Sequence, residues 1–192
     1  MSTKTKNIGL TLRDICFISI FTAIIAVCAQ LSIPMPAGVP FTLQTFAIPL
    51  AGIILGGKRG ALSVIIYILL GIIGVPVFTG FRGGFSVLFG PTGGYIISFP
   101  VMALCAGISS DLCYKYKSWG KNIILASGLV SGSAINYIFG MLVGKAVVSC
   151  SWEQAFAIFV MPYIPTAVLK MILAGIIGLN IKKILLKNRI LK

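Results

Sequence analysis

The sequence contains no histidine, and against sixteen Lys and Arg it has only three carboxylates, Asp14, Asp111 and Glu153. Without histidine the commonest metal ligand and general base is missing. Three scattered acids offer no pair for acid–base work, so an enzyme is not expected. The five cysteines, at 16, 28, 105, 113 and 150, show no C-x-x-C spacing. Free thiols follow from that, with no metal centre and no disulfide framework. A nucleotide loop is lacking too. The stretch 52–58 reads G-x-x-x-x-G-K, but Arg59 follows where a magnesium-binding Ser or Thr is required, and no strand precedes it. Any uphill work must be powered from outside this chain, and no cofactor is called for.

Charge is scarce as well. Charged residues make up 10% of the chain against 58% hydrophobic, and mean hydropathy is +1.05. Apolar runs approach the ~20 residues that cross a bilayer as a helix. The expected fold is an all-α integral membrane protein, one bundle forming a single domain over 1–192. The segment behind the basic N-terminus is expected to be retained as the first span, since no cleavage site is evident. The net charge of +13 would suggest nucleic acid in a soluble protein. Here the cations fall between apolar runs, and topology explains them.

Six spans are read, at about 12–33, 41–56, 61–73, 94–113, 123–148 and 155–181. Lys4, Lys6 and Arg13, then Lys58 and Arg59, then Lys115, Lys117 and Lys121, then the basic tail from Lys182 share one side only if both termini lie together. The positive-inside rule makes that side cytoplasmic. The 56–60 segment, GGKRG, is read as a tight basic turn. The connection carrying Pro34, Pro36, Gly38 and Pro40 and the Gly-rich stretch 74–95 then face outward. That stretch, between the third and fourth spans, is read as loop rather than helix, and as either a ligand lid or an ordinary connector.

Three cations escape the topological explanation. Lys145 is placed to snorkel. Arg82 lies in the Gly-rich stretch. Lys170 lies inside the last span, a dozen residues before Lys182, or roughly 18 Å along a helix. An ammonium at that depth needs a cavity or a partner, and no carboxylate of the chain is placed to reach it, so a bound anion is expected there. Gln44 is read as a ligand-binding amide or as a hydrogen bond between helices. On the first span, Thr22, Ala23 and Ala26 form a narrow ridge, suited to docking another membrane subunit or to packing within the bundle.

Three segments, FTLQTF (41–46), GFRGG to GPTGGY (80–95) and P-x-x-P-x-x-x-x-K (162–170), carry a resemblance over nearly the whole chain. They resemble the BioY family, the biotin-specific substrate-binding components of energy-coupling-factor transporters. The resemblance implies biotin as ligand, a transmembrane coupling subunit, two cytoplasmic ATPases, and residence in the bacterial cytoplasmic membrane. It raises the docking reading of Thr22, Ala23 and Ala26. A site for biotin needs polar groups at two ends with apolar walls between. Lys170 and Arg82 are assigned the positive charge. Gln44, Asn136, Ser86 and Thr92, with Thr42 beside Gln44, are assigned to the ureido edge. Tyr95, Phe81 and Phe85 are assigned to the walls, and backbone amides at Gly83, Gly84 and Gly93 to direct donation. Two departures stand out: Thr166 and Ala167 replace a family Gly-Asp, and Arg82 replaces a small or amide residue. A biotin analogue or another small anionic vitamin stays open as ligand. A gradient-driven transporter working alone is the competing function, although it would want acids inside the membrane.

Overall fold

The computed structural model describes residues 10–35, 38–113, 119–188 and 190. Lys4, Lys6, Pro36, Lys115, Lys117, Arg189 and Lys192 lie outside the described residues. Helix α1, Leu12–Gln30, opens on a capping box in which the Thr11 hydroxyl accepts from the Asp14 amide and the Asp14 carboxylate accepts from the Thr11 amide. Two short antiparallel strands follow, β1 (Ser32–Ile33) and β2 (Phe41–Thr42), with Ser32 opposite Thr42. Next come α2 (Gln44–Leu55) and α3 (Gly57–Ile72), then a 3₁₀ turn at Phe85–Phe89. The chain continues through α4 (Gly93–Cys113), α5 (Trp119–Val148), α6 (Trp152–Phe159), a second 3₁₀ turn at Met161–Tyr163, and α7 (Ile164–Lys187).

The exterior, unlike that of a water-soluble protein, is as apolar as the core. Ile20, Val27, Val130, Ile138, Leu169, Ile172 and Ile176 are exposed, while Thr22, Gln44, Ser63, Ser98 and Asn136 are buried. An apolar exterior of that extent suits hydrocarbon. Among the described residues, four helical stretches are long and apolar enough to cross a membrane: α1, α4, Gly120–Val148 within α5, and Trp152–Lys187 spanning α6 and α7. At 12 residues α2 is short of that length.

In lipid, helices associate by close packing more than by hydrophobic drive. The α2–α4 contact uses that freely. A Cβ added at Gly52 would fall 2.2 Å from the Ala103 carbonyl oxygen. Helices α5 and α7, by contrast, meet sparsely and leave an apolar cleft between Val130, Ala134, Val168 and Met171.

Two of the three acids form ion pairs at the end of the bundle where α1 and α3 begin and α4 and α7 finish. Asp14 pairs with Arg59 at 3.2 Å, and Asp111 with Lys182 at 2.6 Å. Lys182 also donates to the Ser110 hydroxyl at 2.9 Å.

Several expected boundaries move. The GGKRG turn is narrower than read: Gly56, at φ +83°, makes the reversal, and Lys58 and Arg59 already belong to the first turn of α3. Residues 93–95 open α4 instead of closing a loop. The last apolar run, interrupted at Pro162 and Pro165 as its sequence implies, extends further at both ends, from Trp152 at the start of α6 to Lys187 at the end of α7. The small hairpin β1–β2 is an addition that the proline-rich sequence did not announce.

Candidate functional site

At the opposite end from the ion pairs, a cavity lies among the start of α2, the start of α4, the first turns of α7 and the segment following α3. Its walls are aromatic: Phe41 stacks against Tyr163 at 4.6 Å, Tyr67 meets Phe78 edge-on at 5.6 Å, and Phe99 and Tyr137 complete the lining. Tyr163 is fixed by donating to the Val39 carbonyl, and Tyr95 by donating to the Phe159 carbonyl.

Lys170 projects from α7 into this space. Its ammonium donates to the Thr42 carbonyl at 2.7 Å and to the Thr45 hydroxyl at 3.2 Å, and stands 5.9 Å from the centre of the Phe41 ring. Asp14 and Asp111 are taken by Arg59 and Lys182, and Glu153 is exposed in the first turn of α6. Among the described residues no carboxylate pairs with Lys170. Arg82 is the second cation of the cavity. Its Nε donates to the Thr79 carbonyl at 3.0 Å, and it also lines a shallower outer pocket with Gly83, Ser86 and Thr92. A cavity holding two cations and lined by no acid attracts an anion.

Gln44 links three elements beside these cations. Its Nε2 donates to the Tyr67 hydroxyl at 2.8 Å, and its Oε1 accepts from Thr42 and Thr79, each at 3.3 Å. The Tyr67 hydroxyl in turn donates to the Val77 carbonyl at 3.3 Å. These bonds join α2 and α3 to the Gly-rich segment.

Of the residues assigned from sequence, Lys170, Arg82, Gln44, Thr42, Thr92 and Tyr95 line the cavity. Ser86 and Gly83 line only the outer pocket. The others are placed elsewhere. Phe81 and Phe85 are 73% and 58% exposed and point away from the cavity. The Gly84 amide already donates to the Gly71 carbonyl at 2.7 Å and the Gly93 amide to Gly90 at 2.9 Å. Neither is left to donate to a ligand. Glycine is needed at 93 for another reason: a Cβ there would stand 1.8 Å from the Leu88 carbonyl oxygen. Asn136 is fully buried between α4 and α5, where its Nδ2 donates to the Tyr95 carbonyl at 3.0 Å and the Ser98 hydroxyl at 2.8 Å. Ala167 borders the α5–α7 cleft, while Thr166 one residue earlier lines the cavity.

On α1 the ridge is split. Thr22 turns inward and donates to the Ser63 carbonyl at 2.9 Å. Ala26 is half-buried against the core, and Ala23 is exposed between Ile20 and Val27. Sequence reasoning missed Thr45, Tyr67, Phe78, Tyr137 and Tyr163 on the walls. A tyrosine or threonine inside an apolar run was the available signal.

A sequence model described as the BioY family matches residues 1–187. The chain belongs to the BioY family. It is 39% identical over 173 residues to the biotin transporter BioY of Thermotoga maritima, covering 90% of this chain and 98% of that one. It is 38% identical over 177 residues to the biotin transporter BioY2 of Lactococcus lactis subsp. cremoris, covering 92% and 91%. Its structure is similar to the crystal structure of an S-component for biotin from an ECF-type ABC transporter, with a TM-score of 0.79 and 27% identity over 91% of this chain and 95% of that one. The family that FTLQTF and GPTGGY pointed to is the one the comparisons return, and its fold is this one.

Proposed function

We propose that this chain captures biotin and carries it across the bacterial cytoplasmic membrane as the substrate-binding component of an ATP-driven transporter. The observation that carries the reading is the aromatic-walled cavity in which Lys170 and Arg82 stand without a carboxylate. Biotin has a carboxylate at one end, a ureido group at the other, and apolar atoms between. An ammonium has three N–H donors. Lys170 uses two of them on Thr42 and Thr45, and the third serves the ligand. Arg82, at the mouth, meets the other end. Gln44 and Thr92 supply hydrogen bonds on the way.

The topology that fits is six crossings with both termini cytoplasmic, α6 and α7 together forming the last, and the cavity opening outward beneath the segment between α3 and α4. The end with the ion pairs then faces the cytoplasm. The relatives' names say biotin transporter, and the solved neighbour belongs to an ECF-type ABC transporter. A transmembrane coupling subunit and two ATPases are accordingly the proposed partners. The exposed Ile20–Ala23–Val27 face of α1 is the proposed docking surface.

The test separates capture from transport. The chain is reconstituted in liposomes alone and with the ATPase module, and biotin binding and uptake are measured independently. Binding by the chain alone with uptake only in the presence of the module and ATP is expected. Robust ATP-free uptake by the chain alone, or no binding, overturns the proposal.

A further inference from the structure

The turn that brings Arg82 to the cavity mouth is held from outside the cavity. Phe78 and Arg82 exchange backbone hydrogen bonds, Phe78 N to Arg82 O at 2.9 Å and Arg82 N to Phe78 O at 3.2 Å, closing a tight turn over Thr79, Gly80 and Phe81. Phe81 adopts φ +55°, a conformation that aromatic residues avoid. A turn of this kind persists only where its surroundings fix it.

Gln30, the last residue of α1, does so on both faces of its carboxamide. Its Nε2 donates to the Val77 and Phe78 carbonyls, each at 3.2 Å, and its Oε1 accepts from the Phe81 amide at 2.9 Å. The same Nε2 reaches back to the Ala26 carbonyl at 3.4 Å. Gln44 and Tyr67 also touch this segment, through Thr79 and Val77, but both are cavity-wall residues. Gln30 lines no part of the cavity. It lies seven residues, or two turns, beyond Ala23 on α1, the helix that exposes Ile20, Ala23 and Val27.

We infer that Gln30 is a positioning residue: its carboxamide holds the Phe78–Arg82 turn closed over the cavity and ties ligand retention to the placement of α1. The inference rests on the reading of the cavity as a biotin site, but the clamp itself is a property of the ligand-free protein. Only a group with a donor and an acceptor side by side satisfies Val77, Phe78 and Phe81 together. Losing it frees the turn without removing any group that touches ligand.

Two measurements on the full chain in lipid nanodiscs test this, using Gln30→Leu and, as a polar variant one carbon too short to reach, Gln30→Asn. Hydrogen exchange without ligand is expected to speed at least tenfold in peptides covering residues 77–82, with α2 and α4 peptides unchanged as the control for folding. Biotin dissociation, followed by chase of radiolabelled biotin, is expected to accelerate at least tenfold while association changes less than threefold. A purely structural role would lower thermal stability without splitting the two rates. Unchanged exchange at 77–82 overturns the clamp. Faster exchange with dissociation within twofold of the parent overturns its role in retention. If the parent protein bound no biotin, the proposed function would fall, and the exchange arm would still decide whether Gln30 holds the turn.

Discussion

The ammonium of Lys170 donates at 2.7 Å to the carbonyl oxygen of Thr42, the last residue of β2, joining chain positions 128 residues apart. That bond ties the last helix to the entrance of α2 and fixes the cation at the cavity wall. A charge so placed is not snorkelling.

The outward face of α1 carries the second half of the account. Ala23 is exposed, whereas Thr22 is consumed by its bond to Ser63. Ala23→Trp is expected to leave biotin affinity of the isolated chain within twofold and to reduce ATP-dependent uptake with the module at least tenfold. Uptake at the parental rate would move the docking surface elsewhere.

Asn136 belongs to the packing of α4 against α5. Removing an interhelical polar bond in a membrane protein costs about 1 kcal/mol. Asn136→Ala is expected to lower thermal stability in detergent by about that amount while changing biotin affinity less than threefold. A large affinity loss at unchanged stability would return Asn136 to the site.

At Gly94 a Cβ would fall 2.1 Å from the Phe139 carbonyl oxygen. Gly94→Val forces α4 and α5 apart, at a cost of about 1–3 kcal/mol as for other overpacked contacts. It also displaces Tyr95, so reduced yield of folded protein and weaker binding are expected together. Parental stability would show that the two helices do not meet there.

Lys182 is nearly enclosed, while Asp111 is half exposed. Asp111→Asn removes the charge from the 2.6 Å contact with Lys182, and a loss of about 1–2 kcal/mol in unfolding free energy is expected. Adding Lys182→Met to that variant should recover most of it. Failure of the double variant to recover would show that Lys182 matters for its other contacts instead.

The cation in the last span was legible in the sequence because charge inside an apolar run has so few explanations. The apolar helices and the start of α2 were legible for the same reason. Side-chain direction in the Gly-rich segment was not. Phe81 and Phe85 are as hydrophobic as Phe78, yet only Phe78 turns inward, because the backbone reverses at Gly80 and Phe81. Composition does not encode that reversal. Gly93 looked like backbone open to a ligand and is instead a point where Leu88 presses close. Asn136 and Gln44 read alike as amides within spans. Their difference is which helix face they occupy, and that depends on how α2, α4 and α5 are packed.

The most direct test of the central claim is the affinity of Lys170→Met for biotin, measured by isothermal titration on folded, purified protein. A hydrogen bond to a charged group is worth about 1.5–3 kcal/mol, so binding is expected to weaken on the order of 10- to 100-fold. Arg82→Met, whose cation is the more exposed of the two, should weaken it less. Parental affinity in Lys170→Met would contradict the account, since the cation would then be holding Thr42 and Thr45 and nothing more.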